Sequence, residues 1–308
     1  MSDCAIFSAF YYIEDNGFTH EKVPAFVERL NNFDGELNFC SVEVLSKLLE
    51  AVNPRLIDRQ SLSLEAALKI ADEKGYLEGL NKTDLSIIAG SYTASIYPSA
   101  AFNLSTREKG PNFVNATEFT NTVGNAAVSR ACIWNQFRGE AFAISEGVNS
   151  GLNALVDAYK AIQHSKAEDI LACATEEVGS AAVLIRKGAP ENSKIRPLAY
   201  IKAVDSSYIA DDDNLEDYFS SIVRKFGTEL NEADVYLSCA PERLEAASKC
   251  SGLCGKVSVK KNLWSLAPLL DVGLCLNNYE HGAEKACLIT SLDANGFVSS
   301  VLLEKGGR

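Results

Sequence analysis

Apolar residues along this chain gather in short runs bounded by turn-forming residues, with stretches of helical periodicity between them. Strand-like runs recur at Cys4–Phe10, Leu85–Ser91, Glu140–Ser145, Asp169–Ala174, Leu198–Val204, Asp234–Cys239, Lys256–Lys260, Lys285–Thr290 and Phe297–Glu304. The clearest helix follows Val148: Asn149 or Ser150 is placed to cap it, and Leu152, Leu155, Val156, Tyr159 and Ile162 share one face at 3.6-residue spacing. A second amphipathic helix is expected over about Leu215–Phe226, carrying Tyr218, Ile222, Val223 and Phe226 behind an acidic Asp211–Asp213 loop that suits a helix N-terminus. Strands alternating with helices predict an α/β fold.

Two segments repeat a pattern. Residues 170–187 (ILACATEEVGSAAVLIRK) and 286–305 (ACLITSLDANGFVSSVLLEK) each give an apolar strand, a glycine-containing turn and a second apolar strand. Each closes one half of the chain and each follows a helix, as an internal duplication would require. The halves are then 1–187 and a shortened 188–308, with Gly188–Pro197 as the linker and both forming one compact unit.

Composition narrows the class. With 308 residues, 47% of them hydrophobic, the chain can bury a full core. Nine cysteines, an odd number spread from Cys4 to Cys287 and mostly inside apolar runs, read as reduced buried thiols. That usage, and a start without a basic segment before its short apolar run, point to a cytoplasmic protein with no membrane-spanning segment. A formal charge of −12 argues against nucleic acid and anionic membranes, and against docking an acidic carrier protein by this surface alone. A basic partner fits it better.

Residues 137–177 (FRGEAFAISEGVNSGLNALVDAYKAIQHSKAEDILACATEE) resemble the nucleophile region of the β-ketoacyl synthases. Phe137-Arg138-Gly139 matches the family's turn, Ser150-Gly151 the start of its buried helix, and Ala172–Glu177 the end of the next strand. The resemblance is firmest over about 84–187, continues more faintly over 198–305, and implies a five-layered αβαβα thiolase-like fold of duplicated βαβ halves. In the family a cysteine at the helix N-terminus carries the acyl chain as a thioester, its thiolate favoured by the helix dipole. Here Val148 takes that place when Ser150-Gly151 is aligned, or Gly147 when Ser145-Glu146 is, and neither is a nucleophile.

Two histidines complete the family's chemistry, and neither frame retains one. DVYLSCAPE (234–242) is similar to the Asp-Tyr-Val-x-x-His-Gly-Thr strand end, with Cys239 replacing histidine. SVKKNLWSLAPLLDVG (258–273) is similar to the Lys-Ser-x-x-Gly-His segment, with Trp264 or Ser265 replacing it. SLDANGFVSS (291–300) stands where the family has a glycine-rich loop and keeps only Gly296. The three histidines present lie outside these frames: His164 late on the nucleophile helix, His20 and His281 in polar, loop-like contexts.

The resemblance therefore implies a non-catalytic subunit, most like the chain length factors (KSβ) of type II polyketide or aryl polyene systems. Its partner would be a catalytic ketosynthase in a heterodimer or heterotetramer, with the acyl carrier protein reached through that partner and no cofactor or metal required. Segments between the halves and in the second half are shorter than in ordinary ketosynthases, which puts the substrate lid and carrier-docking elements in doubt. Residues 115–130 (NATEFTNTVGNAAVSR) correspond to the helix that runs along the dimer interface and lines the acyl tunnel, where bulk limits chain length. Phe119, Thr122 and Val123 are the candidates there, with interface packing as their plainer role.

Two other readings stand beside this one: an active thiolase-fold condensing enzyme or acyltransferase that uses Cys239, and a carrier-binding scaffold without a tunnel. Cys132 and Cys173 sit in apolar surroundings that raise a thiol pKa, so core packing is expected of them. Cys250 and Cys254 have the spacing of half a metal site, but no second pair follows.

Overall fold

A computed structural model describes residues 3–33, 35–50, 58–114, 116–188, 196–209, 215–227, 233–249, 256–258 and 263–306. The strands are β1 (Cys4–Ile13), β2 (Asn16–Thr19), β3 (Ser86–Gly90), β4 (Ala141–Ile144), β5 (Asp169–Glu176), β6 (Gly179–Lys187), β7 (Ala199–Tyr208), β8 (Ala233–Cys239), β9 (Lys256–Ser258), β10 (Ala286–Leu292) and β11 (Phe297–Lys305). The helices are α1 (Val23–Asn31), α2 (Val42–Leu49), α3 (Arg59–Glu73), α4 (Ile96–Lys109), α5 (Ala116–Phe119), α6 (Ala126–Asn135), α7 (Ser150–Gln163), α8 (Leu215–Lys225), α9 (Leu244–Lys249) and α10 (Ala267–Glu280). No described helix is long and apolar enough to cross a membrane.

Strand order shows the repeat. The sheet runs β4-β3-β5-β6-β1-β7-β11-β10-β8-β9, with β2 paired to β1 off this path. Read from each outer edge inward, both halves place their strands in the same order. β3 is parallel to β4 and β5, as β8 is parallel to β9 and β10. The hairpins β5–β6 and β10–β11 are antiparallel, and each second strand pairs antiparallel with β1 or β7. The halves meet where Cys4–Ile6 pairs with Ala199–Ile201.

Layering follows from side chains alternating across the strands. Ile170, Ala172 and Ala174 of β5 face a central cluster built on α7 and α10, while Leu171 and Cys173 face an outer one with Leu64 and Leu68 of α3 and Val128 of α6. On the far side, Leu288 of β10 and Leu302 of β11 pack against Phe219 and Ile222 of α8. Helix, sheet, helix, sheet, helix is the five-layered α/β arrangement expected. α7 and α10, buried between the sheets, are equivalent elements of the two halves.

The expected α7 begins at Ser150, and Leu152, Leu155, Val156 and Ile162 are buried in the central layer. Its capping differs from expectation. Asn149 makes no side-chain cap. Its amide donates instead to Phe297 O at 2.8 Å, because the C-terminal hairpin crosses this helix end. Residues 115–130 are likewise not one helix: α5 and α6 are separated by Thr120–Asn125, a run whose polar, β-branched and glycine residues favour a turn. Of the expected features, Asp211–Asp213, Cys250, Cys254, most of the Gly188–Pro197 linker and the end of the 256–260 run lie outside the described residues.

Candidate functional site

Two similar turns meet at the centre of the molecule. Gly147–Asn149 leads into α7 and Trp264–Leu266 leads into α10, each a single 3-10 turn. Each begins with a residue of positive φ, +64° at Gly147 and +38° at Trp264, and each puts a buried residue second, Val148 and Ser265. The turns pack against each other. Their approach depends on two glycines: a Cβ at Gly151 would stand 2.0 Å from Ser265 O, and one at Gly90 would stand 2.0 Å from Ser150 O.

Local hydrogen bonds hold the first turn. Ser150 Oγ donates to Gly147 O at 2.7 Å and accepts from Glu146 N at 2.8 Å. Ser291 Oγ reaches Val148 O at 3.4 Å from the end of β10. In the loop between β10 and β11, Asp293 Oδ1 accepts from Asn295 N at 2.9 Å and Phe297 N at 2.8 Å, and Gly296 turns the chain at φ +96°. That loop is thus clamped by a side chain, where the family has a glycine-rich segment offering its backbone donors.

The second turn is tied to Glu176, at the end of β5. Its carboxylate accepts from Tyr92 N at 2.6 Å, Thr93 N at 3.2 Å, Thr93 Oγ1 at 2.7 Å and the hydroxyl of Ser265, with Ser91 Oγ at 3.4 Å. Glu176 is 0% exposed. Burial raises its pKa, and the bonds from Ser265, Tyr92 and Thr93 oppose that rise. One buried carboxylate therefore fixes the loop after β3 and the turn before α10. Sequence reasoning passed over it; the available signal was a pair of acids, Glu176 and Glu177, closing an otherwise apolar strand.

Cys239 is not part of this cluster. It ends β8 and belongs to the outer core with Leu237, Leu292 and Val298, and burial pushes its thiol up to about 11. Burial raises the Cys132 and Cys173 thiols too. Val148, Ser265 and Glu176 are brought together, and among the described residues no thiol or imidazole joins them. The described side chains there offer hydrogen bonding and packing.

The histidines lie elsewhere. His164 and His281 are exposed residues at the C-terminal ends of α7 and α10, the first as expected. His20 was expected in a polar loop, yet it is fully buried, with Nδ1 3.0 Å from Ser8 Oγ and Nε2 2.9 Å from Glu280 Oε2. The loop-like residues around it form a tight turn over β1 and α10, and its two polar contacts make that burial affordable.

Phe119 and Val123 are exposed, and Thr122 is half-buried. Phe119 packs on Phe102 of α4 with ring centroids 5.7 Å apart. Ile96, Leu104, Phe113, Val114, Ile133 and Phe142 are exposed as well, Phe113 and Ile133 at 73%. α4 has no buried residue along its 14 positions, and β4 is an edge strand with its residues exposed or half-buried. A groove of about 810 Å³ lies on the other side of the first turn, lined by Glu146, Asp157, Asp293, Tyr208 and Phe297 among others.

Comparison with known proteins places these features in context. Residues 33–189 match the β-ketoacyl synthase N-terminal domain. The ishigamide ketosynthase/chain length factor is similar in structure, with a TM-score of 0.80 and 15% identity, covering 99% of this chain and 100% of that one. A type II polyketide acyl-carrier protein in complex with its hexaketide-bound ketosynthase includes a chain matching at a TM-score of 0.73 and 13% identity, over 99% of each. A ketosynthase in complex with its chain length factor from Xenorhabdus doucetiae gives a TM-score of 0.67 and 12% identity, over 99% of this chain and 98% of that one. Comparison with curated protein sequences gives no match.

Proposed function

The chain belongs to the β-ketoacyl synthase family, and from that premise we propose that it is a non-catalytic subunit of the chain-length-factor type. It pairs with a catalytic ketosynthase that supplies the cysteine and both histidines, and it contributes a wall of the acyl or polyene tunnel in a cytoplasmic type II polyketide or aryl polyene system. The acyl carrier protein is reached through the partner, and no cofactor takes part. Residues 1–187 and 188–308 form the two halves of one thiolase-like unit.

The observation that carries this reading is the concentration of exposed large apolar side chains between Ile96 and Phe142. Isolated apolar residues on a surface are ordinary, but this many large ones within one stretch of chain support an interface there. Obligate pairs hide such surfaces. The same stretch carries Phe119, Thr122 and Val123, the candidates for limiting chain length. A non-catalytic role fits Val148 or Gly147 at the nucleophile position in the first turn, and Trp264 or Ser265 and Cys239 at the histidine positions elsewhere.

The reading of Cys239 as a nucleophile is disfavoured by its burial in the outer core and its raised thiol pKa. A carrier-binding scaffold would not need the apolar face. Co-expression with the catalytic ketosynthase tests the proposal: the two chains co-purify, Cys239→Ala leaves condensation intact, and Phe119→Ala changes product length. Condensation lost with Cys239→Ala in an intact heterodimer would overturn the non-catalytic assignment.

A further inference from the structure

We propose that the groove beside the first turn is a binding site for a small organic cation, a primary ammonium or guanidinium group carried on an aliphatic or aromatic body. The groove encloses about 810 Å³ between α7, the end of β7 and the loop joining β10 to β11. That volume falls in the range of small-molecule sites. Its lining residues all come from this chain, so the inference stands apart from the pairing proposed above.

Charge decides the class of ligand. Glu146, Asp157 and Asp293 line the groove, and Lys160 is the only lysine or arginine among the described lining residues. Lys160 is already paired with Asp157 at 3.3 Å. Glu146 is exposed and accepts from the amide of Asn153. Asp293 is 8% exposed, and its Oδ1 holds the backbone of Asn295 and Phe297, yet no described cation pairs with it. Arg243 reaches the same loop but donates to Ala294 O at 3.1 Å. The groove therefore keeps a negative excess, and its low-dielectric walls focus that field on whatever enters.

A second observation is independent of charge. Asn149 lines the groove and is 2% exposed, its Nδ2 donates to Phe297 O, and its Oδ1 has no hydrogen-bond partner within the chain. A buried acceptor left open is costly, and an N–H donor entering from the groove completes it. Ammonium and guanidinium groups offer several such donors at once. Tyr208 and Phe297, opposite each other on β7 and β11, add two aromatic rings with centroids 5.3 Å apart. Both are more than half exposed. Their faces attract an organic cation and cover its apolar body. A metal ion would use neither ring, and no group of three or more described His, Cys, Asp or Glu side chains could hold one. A single basic side chain of another protein would leave most of the groove empty.

The test is isothermal titration calorimetry of the full chain at low ionic strength with agmatine and with phenethylamine, using phenethyl alcohol as the uncharged control. Asp293→Asn keeps an acceptor oxygen for the backbone of Asn295 and Phe297, so the loop is expected to form. Glu146→Gln and Phe297→Leu change exposed side chains and serve even where Asp293→Asn does not fold. The expected result is saturable one-site binding of at least one amine and none of the alcohol. Asp293→Asn should weaken that binding by about 30-fold, as for loss of a buried charge partner. Glu146→Gln and Phe297→Leu should each weaken it by about threefold. Binding of neither amine, binding of the alcohol as tight as that of the amines, or wild-type affinity in every folded variant overturns the site.

Discussion

The hydroxyl of Ser265 donates to the carboxylate of Glu176, joining a turn of the second half of the chain to the end of a strand in the first. Glu176 gathers its other donors from Tyr92 and Thr93, so three distant segments converge on one buried group. Glu176→Ala leaves those donors without an acceptor and is expected to cost on the order of 3–5 kcal/mol. Glu176→Gln keeps one acceptor oxygen and should cost less. Urea unfolding of the two variants checks this order, and an alanine variant as stable as wild type would refute the hub.

Glu177, next in sequence, predicts a pH dependence. Burial pushes its pKa up to about 7, against the pull of the Arg59 guanidinium 3.5 Å away. The folded chain therefore holds this proton more tightly than the unfolded one. Its contribution is fully present below the ordinary carboxylate range and is lost as pH rises toward 7, a change on the order of 1–3 kcal/mol. Glu177→Gln should flatten part of the fall in stability between pH 5 and pH 8. Parallel stability profiles for the variant and wild type would contradict it.

The apolar face predicts separable effects on assembly and on folding. Ile133 is 73% exposed and Phe142 lies on the β4 edge strand, so Ile133→Asp and Phe142→Asp remove little from the core of the isolated chain. Circular dichroism and Tm of the lone subunit should stay near wild type. Association with the ketosynthase should weaken by roughly 30-fold or more, as for hot-spot positions. Size-exclusion chromatography of the co-expressed pair reads the difference, and an undisturbed heterodimer would place the interface elsewhere.

Restoring a thiol should not restore catalysis. Val148→Cys sets a cysteine at the N-terminal end of α7, where the helix dipole favours the thiolate by about 0.3–1 kcal/mol. Ser265 packs in the facing turn, and the described histidines stand elsewhere. The isolated variant should show no condensation product when offered acyl and malonyl thioesters. Turnover by Val148→Cys alone would mean that the site retains acid–base chemistry.

Much of the architecture was legible because it rests on local pattern. β1, β3 and β5 are continuous apolar runs, and α7 places Leu152, Leu155, Val156 and Ile162 on one face, so period and length identified them. β2 was missed because it is four residues long and half exposed, a ribbon defined only by its pairing with β1. Glu176 was not legible, since its partners lie about 85 residues away in either direction. The burial of His20 between Ser8 and Glu280 is equally a product of tertiary contact.

Helix α4 spends fourteen residues without burying one of them, so under the proposed pairing the fate of the chain would follow its supply of partner. In a cell that makes the two chains unequally, surplus copies would keep presenting Ile96, Leu104 and their neighbours to chaperones and proteases. Degradation of the unmatched copies would then hold the two subunits at equal numbers without any dedicated regulator.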